Sequence, residues 1–184
     1  TVQSLAMQTL RNTERSEDAR ELFDARLSAL SRAHDLLTAQ NWEGADLNDV
    51  VRRALSPFCT DAARIAIDGP RVRLTPQQAL ALSIALHELA TNAAKYGALS
   101  GEEGRIDVRW RVDREPEREM LNFEWTESGG PEVRPPTRTG FGTRLIQRGL
   151  ASELDGGAVV EYAPSGVVAK IATPIQAHHH RTYS

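Results

Sequence analysis

Apolar residues recur at helical spacing from the start of the chain: Val2, Leu5, Ala6 and Leu10, then, after the polar stretch 11–18, Leu22, Phe23, Leu27, Leu30, Ala33 and Leu37. Such a stripe marks one apolar helix face. Two helices joined by a short polar turn form an antiparallel hairpin. It can hide its apolar face against a second copy of the chain or against the rest of the same chain. From Asn41 the pattern changes. Asp46 or Asn48 can cap a helix carrying Val50, Val51, Ala54 and Leu55 until Pro57. Two β-like runs follow, 63–67 and 72–74, separated by an Asp68-Gly69-Pro70 turn. Thr75 then caps a long helix with Pro76 at its first position, where a missing N–H costs nothing. Leu82, Leu86, Leu89 and Ala93 continue it to about Tyr96, where Gly97 can close it.

Alternation replaces the helical period over 105–112 and 120–125, which read as strands, with the charged stretch 113–119 as an exposed hairpin tip. Residues 129–142 are rich in Gly, Pro, Thr and Arg without hydrophobic period and read as a mobile loop. A helix over 143–154 ends at Gly156-Gly157, and strands over 158–162 and 167–173 precede a polar tail. Few strands, mostly antiparallel by connection length and interleaved with helices, predict an α+β fold: an α/β sandwich whose mixed sheet carries its helices on one face. The expected organisation is a two-helix hairpin over 1–42, the sandwich over 43–176 and a flexible tail over 177–184.

Composition narrows the classes. A hydrophobic share of 40% is enough to fill a core. The net charge of −3 argues against a nucleic-acid binder, which would carry a basic surplus. No apolar run approaches the ~20 residues of a membrane span, and no basic-then-apolar leader opens the chain. The chain begins in mid-pattern without Met and reads as a piece of a longer protein. The single cysteine, Cys59, leaves no internal disulfide and no cysteine-rich zinc site, and is expected as a buried thiol. A reducing, cytoplasmic setting is the expectation.

Three stretches carry candidate chemistry. In His87-Glu88-Leu89-Ala90-Thr91-Asn92-Ala93-Ala94-Lys95-Tyr96, the residues Glu88, Asn92 and Lys95 lie four and three apart and share one helix face. On an exposed face, the amide oxygen suits a hard cation, the ammonium suits phosphate, and the carboxylate can orient a water or accept a proton. A solvated face with one Glu–Lys pair is the plain alternative. In Trp125-Thr126-Glu127-Ser128-Gly129-Gly130-Pro131 a strand delivers a carboxylate to glycines that let a flat ligand approach. Such a carboxylate can accept from an exocyclic amine like that of adenine, although an ordinary Gly-Gly-Pro turn reads the same way. In Thr139-Gly140-Phe141-Gly142-Thr143 a glycine-rich backbone opens into a helix, whose N–H groups suit phosphate. A flexible loop entering a helix needs no ligand.

The order of these parts resembles the ATP-binding domain shared by histidine kinases, type II topoisomerases and the related heat-shock chaperone. His87 directly before Glu88, and Trp125-x-Glu127, resemble the HWE family of sensor histidine kinases. Arg32-Ala33-His34-Asp35-Leu36-Leu37 and Asn41-Trp42 resemble that family's second phosphoacceptor helix.

The resemblance implies a kinase using ATP and Mg²⁺. Asn92 would hold the Mg²⁺ against the phosphates. Glu88 would polarise an accepting imidazole or a water, with His87 supporting it. Lys95 would neutralise phosphate charge, Glu127 would read the adenine amine, and Gly129 would admit the base. Gly140 and Gly142 would shape a lid, with Tyr96 and Thr143 also at the nucleotide. The family's accepting histidine lies in a His-Arg-x-Lys-Asn box, which this chain lacks; the family pattern places it a few residues before Thr1. His34 is expected to be structural, and the tail His178-His179-His180 flexible. The implied partners are a response regulator receiver domain and a second copy of the chain through the hairpin. Two rivals remain: a serine kinase of the anti-sigma type, and a degenerate docking or dimerisation module.

Overall fold

The computed structural model describes residues 44–59, 62–114, 118–133 and 156–175. The hairpin expected over 1–42, the loop over 134–142, the helix over 143–154 and the tail lie outside the described residues. Strand β1 (Ala45–Asp46) leads into helix α1 (Leu47–Leu55), and β2 (Ile65–Asp68) and β3 (Arg73–Leu74) precede helix α2 (Pro76–Lys95). Four longer strands follow: β4 (Arg105–Arg114), β5 (Glu119–Ser128), β6 (Gly157–Ala163) and β7 (Gly166–Ile175). Among the described residues no helix is long and apolar enough to cross a membrane.

Both helices begin where the sequence places their caps. Asp46 accepts from the Asn48 amide at 2.9 Å. Thr75 accepts from the Gln78 amide while the Gln78 side chain accepts from the Thr75 amide, satisfying two of the donors that a helix start leaves open. Gln78 also donates to the Pro174 carbonyl at 2.9 Å, which ties the start of α2 to the end of β7.

The main sheet has the order β2-β4-β5-β7-β6. β2 runs parallel to β4, with α2 as the crossover, and the remaining pairs are antiparallel. One face is apolar: Ile106, Val108, Trp110, Leu121, Phe123, Trp125, Ala169 and Ile171 join Leu82, Leu86 and Leu89 of α2 and Val50, Val51 and Leu55 of α1 in a single buried cluster. The other face is polar. Register places Asp68, Arg109, Glu124 and Lys170 side by side across four strands, so charges of opposite sign are neighbours along the row.

Two expectations change, the length of the hairpin tip and the burial of Cys59. The runs flanking Asp68-Gly69-Pro70, whose partners the sequence leaves open, do not pair with each other: β2 joins β4, and β3 pairs with β1. Ile65 and Ile67 lie opposite Ile106 and Val108, so the core captures β2, while the Leu47 amide donates to the Val72 carbonyl at 2.9 Å. The hairpin tip is shorter than the charges suggest, because Asp113–Met120 and Arg114–Glu119 continue the ladder. Cys59 is exposed. The preceding short turn directs Phe58 inward against His87, with ring centroids 5.6 Å apart, and leaves the thiol outside.

Trp110 links the sheet to the turn after β2. Its ring stacks on Phe123 at 6.2 Å and its Nε1 donates to the Pro70 carbonyl at 2.7 Å. Trp110→Phe keeps an aromatic ring against Phe123 but loses the hydrogen bond and part of a buried indole packed on Gly69, so the expected cost is about 1–3 kcal/mol in urea unfolding.

Candidate nucleotide site

The site is assembled where the C-terminal end of α2 meets the C-terminal end of β5. On α2, Asn92, Lys95 and Tyr96 are exposed, and Tyr96 is 73% accessible. Glu88 departs from the exposed-face expectation: it is 7% accessible. Leu82, Leu86 and Leu89 face the core, and the buried arc of a helix packed against both the sheet and α1 is broad enough to take in Glu88 as well. The face therefore divides into a withdrawn carboxylate and, one and two turns later, a solvent-facing amide and ammonium.

The end of α2 is closed by backbone rather than by a left-handed glycine. The Tyr96 amide donates to the Asn92 carbonyl at 2.8 Å, and the Gly97 amide reaches the Asn92 and Ala93 carbonyls, each at 3.1 Å. Gly97 has a φ of −111°, so its glycine serves another purpose. A Cβ there would collide with Glu127 Oε2. The missing side chain is what lets the strand-borne carboxylate approach the helix end.

Glu127 is 4% accessible and is held at both oxygens. Trp125 Nε1 donates to Oε1 at 3.1 Å, and the Ala98 amide donates to Oε2 at 2.9 Å. Two residues apart on a strand, Trp125 and Glu127 point to the same face, so the indole orients the carboxylate. Burial raises the Glu127 pKa above its ordinary value of 4.5, against the lowering effect of the Ala98 and Trp125 hydrogen bonds. Just beyond, Gly129 turns with φ +68°, a conformation that side-chain-bearing residues rarely adopt. A buried, oriented carboxylate beside a glycine turn can accept a hydrogen bond from a flat heterocycle sliding over the turn.

The raised pKa has a pH signature. The folded chain holds the Glu127 proton more tightly than the unfolded chain, so this group's contribution is fully present below 4.5 and is lost as pH rises through the raised value. Glu127→Gln should remove that component, seen as a flatter dependence of the urea midpoint on pH in the weakly acidic range.

Among the described residues no group of three or more His, Cys, Asp or Glu side chains could hold a metal. A nucleotide-borne Mg²⁺ needs fewer protein ligands, because phosphate oxygens and water supply most of its octahedron. The exposed Asn92 amide fits that part, and Lys95, exposed three residues on, suits the accompanying phosphate charge.

Sequence reasoning named Glu88, His87, Asn92, Lys95, Tyr96, Glu127 and Gly129, and the fold brings the end of α2 and the end of β5 together through the Ala98–Glu127 bond. Gly140, Gly142, Thr143 and His34 lie outside the described residues. The orienting role of Trp125 was missed, although its two-residue offset from Glu127 on a strand signals it. The Ala98 amide left no signal, since a backbone donor has no residue type.

Comparison with known proteins gives concordant results. The model of a family described as HWE histidine kinase matches residues 1–71. Over 175 residues the chain is 47% identical to the blue-light-activated histidine kinase of Brucella ovis, an alignment covering 95% of this chain and 36% of that protein. The chain thus spans about a third of the length of the curated relatives it matches. The histidine kinase domain of the Erythrobacter litoralis blue-light activated histidine kinase shares the fold, with a TM-score of 0.62 at 16% identity over 95% of this chain and 94% of that one. The histidine kinase ThkA, in complex with the response regulator protein TrrA, gives 0.50 at 15% identity over 95% and 57%.

Proposed function

The chain belongs to the HWE histidine kinase family, as a segment about a third as long as its curated relatives, and from that premise we propose that it is the ATP-binding catalytic end of a cytoplasmic two-component sensor kinase. The observation that supports this most is Glu127: a buried carboxylate, oriented by Trp125 and Ala98, beside the Gly129 turn and next to the helix end that exposes Asn92 and Lys95.

In this reading Glu127 accepts from the adenine amine and Gly129 admits the ring. Asn92 supplies the protein's ligand to Mg²⁺, which, bound with ATP, offsets charge on the phosphates. Lys95 and Tyr96 line the phosphate side. Gly140 and Gly142 would shape the lid over the triphosphate, with Thr143 also at the nucleotide. Catalysis in such a site is mostly positioning and charge neutralisation. An imidazole nitrogen attacks the γ-phosphorus in line, the bond to the β,γ-bridging oxygen breaks, and ADP leaves as a P–N bond forms. Glu88 polarises the imidazole through the proton on its other nitrogen, and withdrawal from bulk water strengthens that hydrogen bond. His87, braced against Phe58, supports the Glu88 turn. The phosphoryl group then passes to a receiver-domain aspartate; the histidine kinase ThkA, similar in fold, is known in complex with the response regulator protein TrrA.

We read 1–42 as the dimerising hairpin, 43–176 as the catalytic unit and 177–184 as a tail. We read His34 as structural and take the accepting histidine from the family pattern, outside residues 1–184. A chain extended upstream through that histidine should acquire acid-labile, alkali-stable phosphate from γ-labelled ATP and pass it to a receiver domain. Acid-stable label would support the serine-kinase alternative instead. Binding without any label would support a docking module.

A further inference from the structure

Arg64 ends the short helical turn before β2, more than thirty residues in sequence before the loop that joins α2 to β4. Its guanidinium nevertheless reaches three carbonyls of the loop that joins α2 to β4. Nε donates to Gly104 at 2.9 Å, while Nη2 donates to Ala98 at 3.0 Å and to Gly101 at 2.6 Å. A planar fork with fixed N–H directions can gather three carbonyls in this way, and charge-assisted bonds of this kind are stronger than neutral ones.

The loop it gathers is the one that holds Glu127. Ala98 is gripped from two sides: its carbonyl accepts from Arg64 and its amide donates to Glu127 Oε2 at 2.9 Å. Further along, the Glu103 carbonyl lies 3.1 Å from where a Cβ on Gly129 would stand, so the same loop also buttresses the glycine turn. Loosening the loop would free the Glu127 oxygen that Ala98 fixes and the backbone on which Gly129 rests. The phosphate side of the site, on α2, is anchored separately by helix packing.

We propose that Arg64 is a positioning residue for purine recognition, holding the Ala98–Gly104 loop so that Glu127 and Gly129 present a fixed edge to the base. The proposal rests on the reading of Glu127 as the acceptor of the adenine amine. It predicts an effect on base discrimination, which a general contribution to stability would not produce.

The test uses the 184-residue chain, Arg64→Lys and Arg64→Gln, titrated with ATP and with inosine triphosphate in Mg²⁺, with thermal melts alongside. Inosine lacks the amine. The unmutated chain should prefer ATP by on the order of tenfold, the worth of one hydrogen bond to a charged group. Arg64→Lys keeps the charge and stem without the fork, and should lose most of that preference through weaker ATP binding, with inosine triphosphate little affected. Arg64→Gln, which keeps two donors, should retain part of it and serves if the lysine variant does not fold. Variants that melt lower but keep the full ATP preference overturn the role of Arg64 while leaving Glu127 intact. An unmutated chain that binds both nucleotides equally, or neither, overturns the Glu127 reading and this inference with it.

Discussion

Glu127→Ala is expected to lower stability by about 2–4 kcal/mol and to make ATP bind no better than inosine triphosphate. The stability loss follows from what the carboxylate satisfies. Trp125 is fully buried, and its Nε1 donates to Glu127 Oε1; the Ala98 amide, also in a buried setting, donates to Oε2. Removing the acceptor strands both donors, at about 1–3 kcal/mol each. Relief of the cost of burying a carboxylate, the same cost that raises its pKa, offsets part of this. The binding loss follows from the remaining acceptor capacity of the oxygens, which is what the adenine amine would meet. Urea unfolding measures the first effect and competitive titration of the two nucleotides the second. Retained ATP preference in a folded Glu127→Ala chain would remove Glu127 from the site.

Asn92→Ala is the complementary case. Asn92 is exposed near the end of α2, so the change should leave stability within about 0.5 kcal/mol. Its effect should fall on the Mg²⁺-dependent part of ATP binding. With phosphates and water supplying most of the metal's ligands, a single protein oxygen decides where the complex sits. A loss on the order of 10–100-fold is expected in Mg²⁺, comparable to what removal of a metal-supporting group costs elsewhere, with little change in EDTA. Titration with a non-hydrolysable ATP analogue in both conditions separates the two contributions. An equal loss in EDTA would mean that Asn92 contacts the nucleotide without the metal.

Much of this arrangement could be read from the chain alone. The Leu82, Leu86, Leu89 and Ala93 period and the Thr75-Pro76 start set α2 in place, and alternation around Trp110 and Phe123 set β4 and β5. What escaped was of two kinds. Long-range pairing was one: β2 lies against β4, some forty residues later, because buried isoleucines match across the pair, and the local turn signal at Gly69-Pro70 says nothing of that partner. Polar groups acting inside the fold were the other. Glu88 was read as exposed because its charge outweighs its position on a helix that packs against both the sheet and α1, and Arg64 looked like one polar position in a strand. Its three partners are carbonyls, which every residue carries, so nothing in the sequence distinguishes them.

The most direct test of the central claim is calorimetric titration of the unmutated chain with a non-hydrolysable ATP analogue, with and without Mg²⁺. Saturable one-to-one binding that strengthens with Mg²⁺ is the expected result, as a single site for the nucleotide and its metal requires. No binding in either condition would contradict the account, and the junction would then be a structural joint of a kinase-like scaffold.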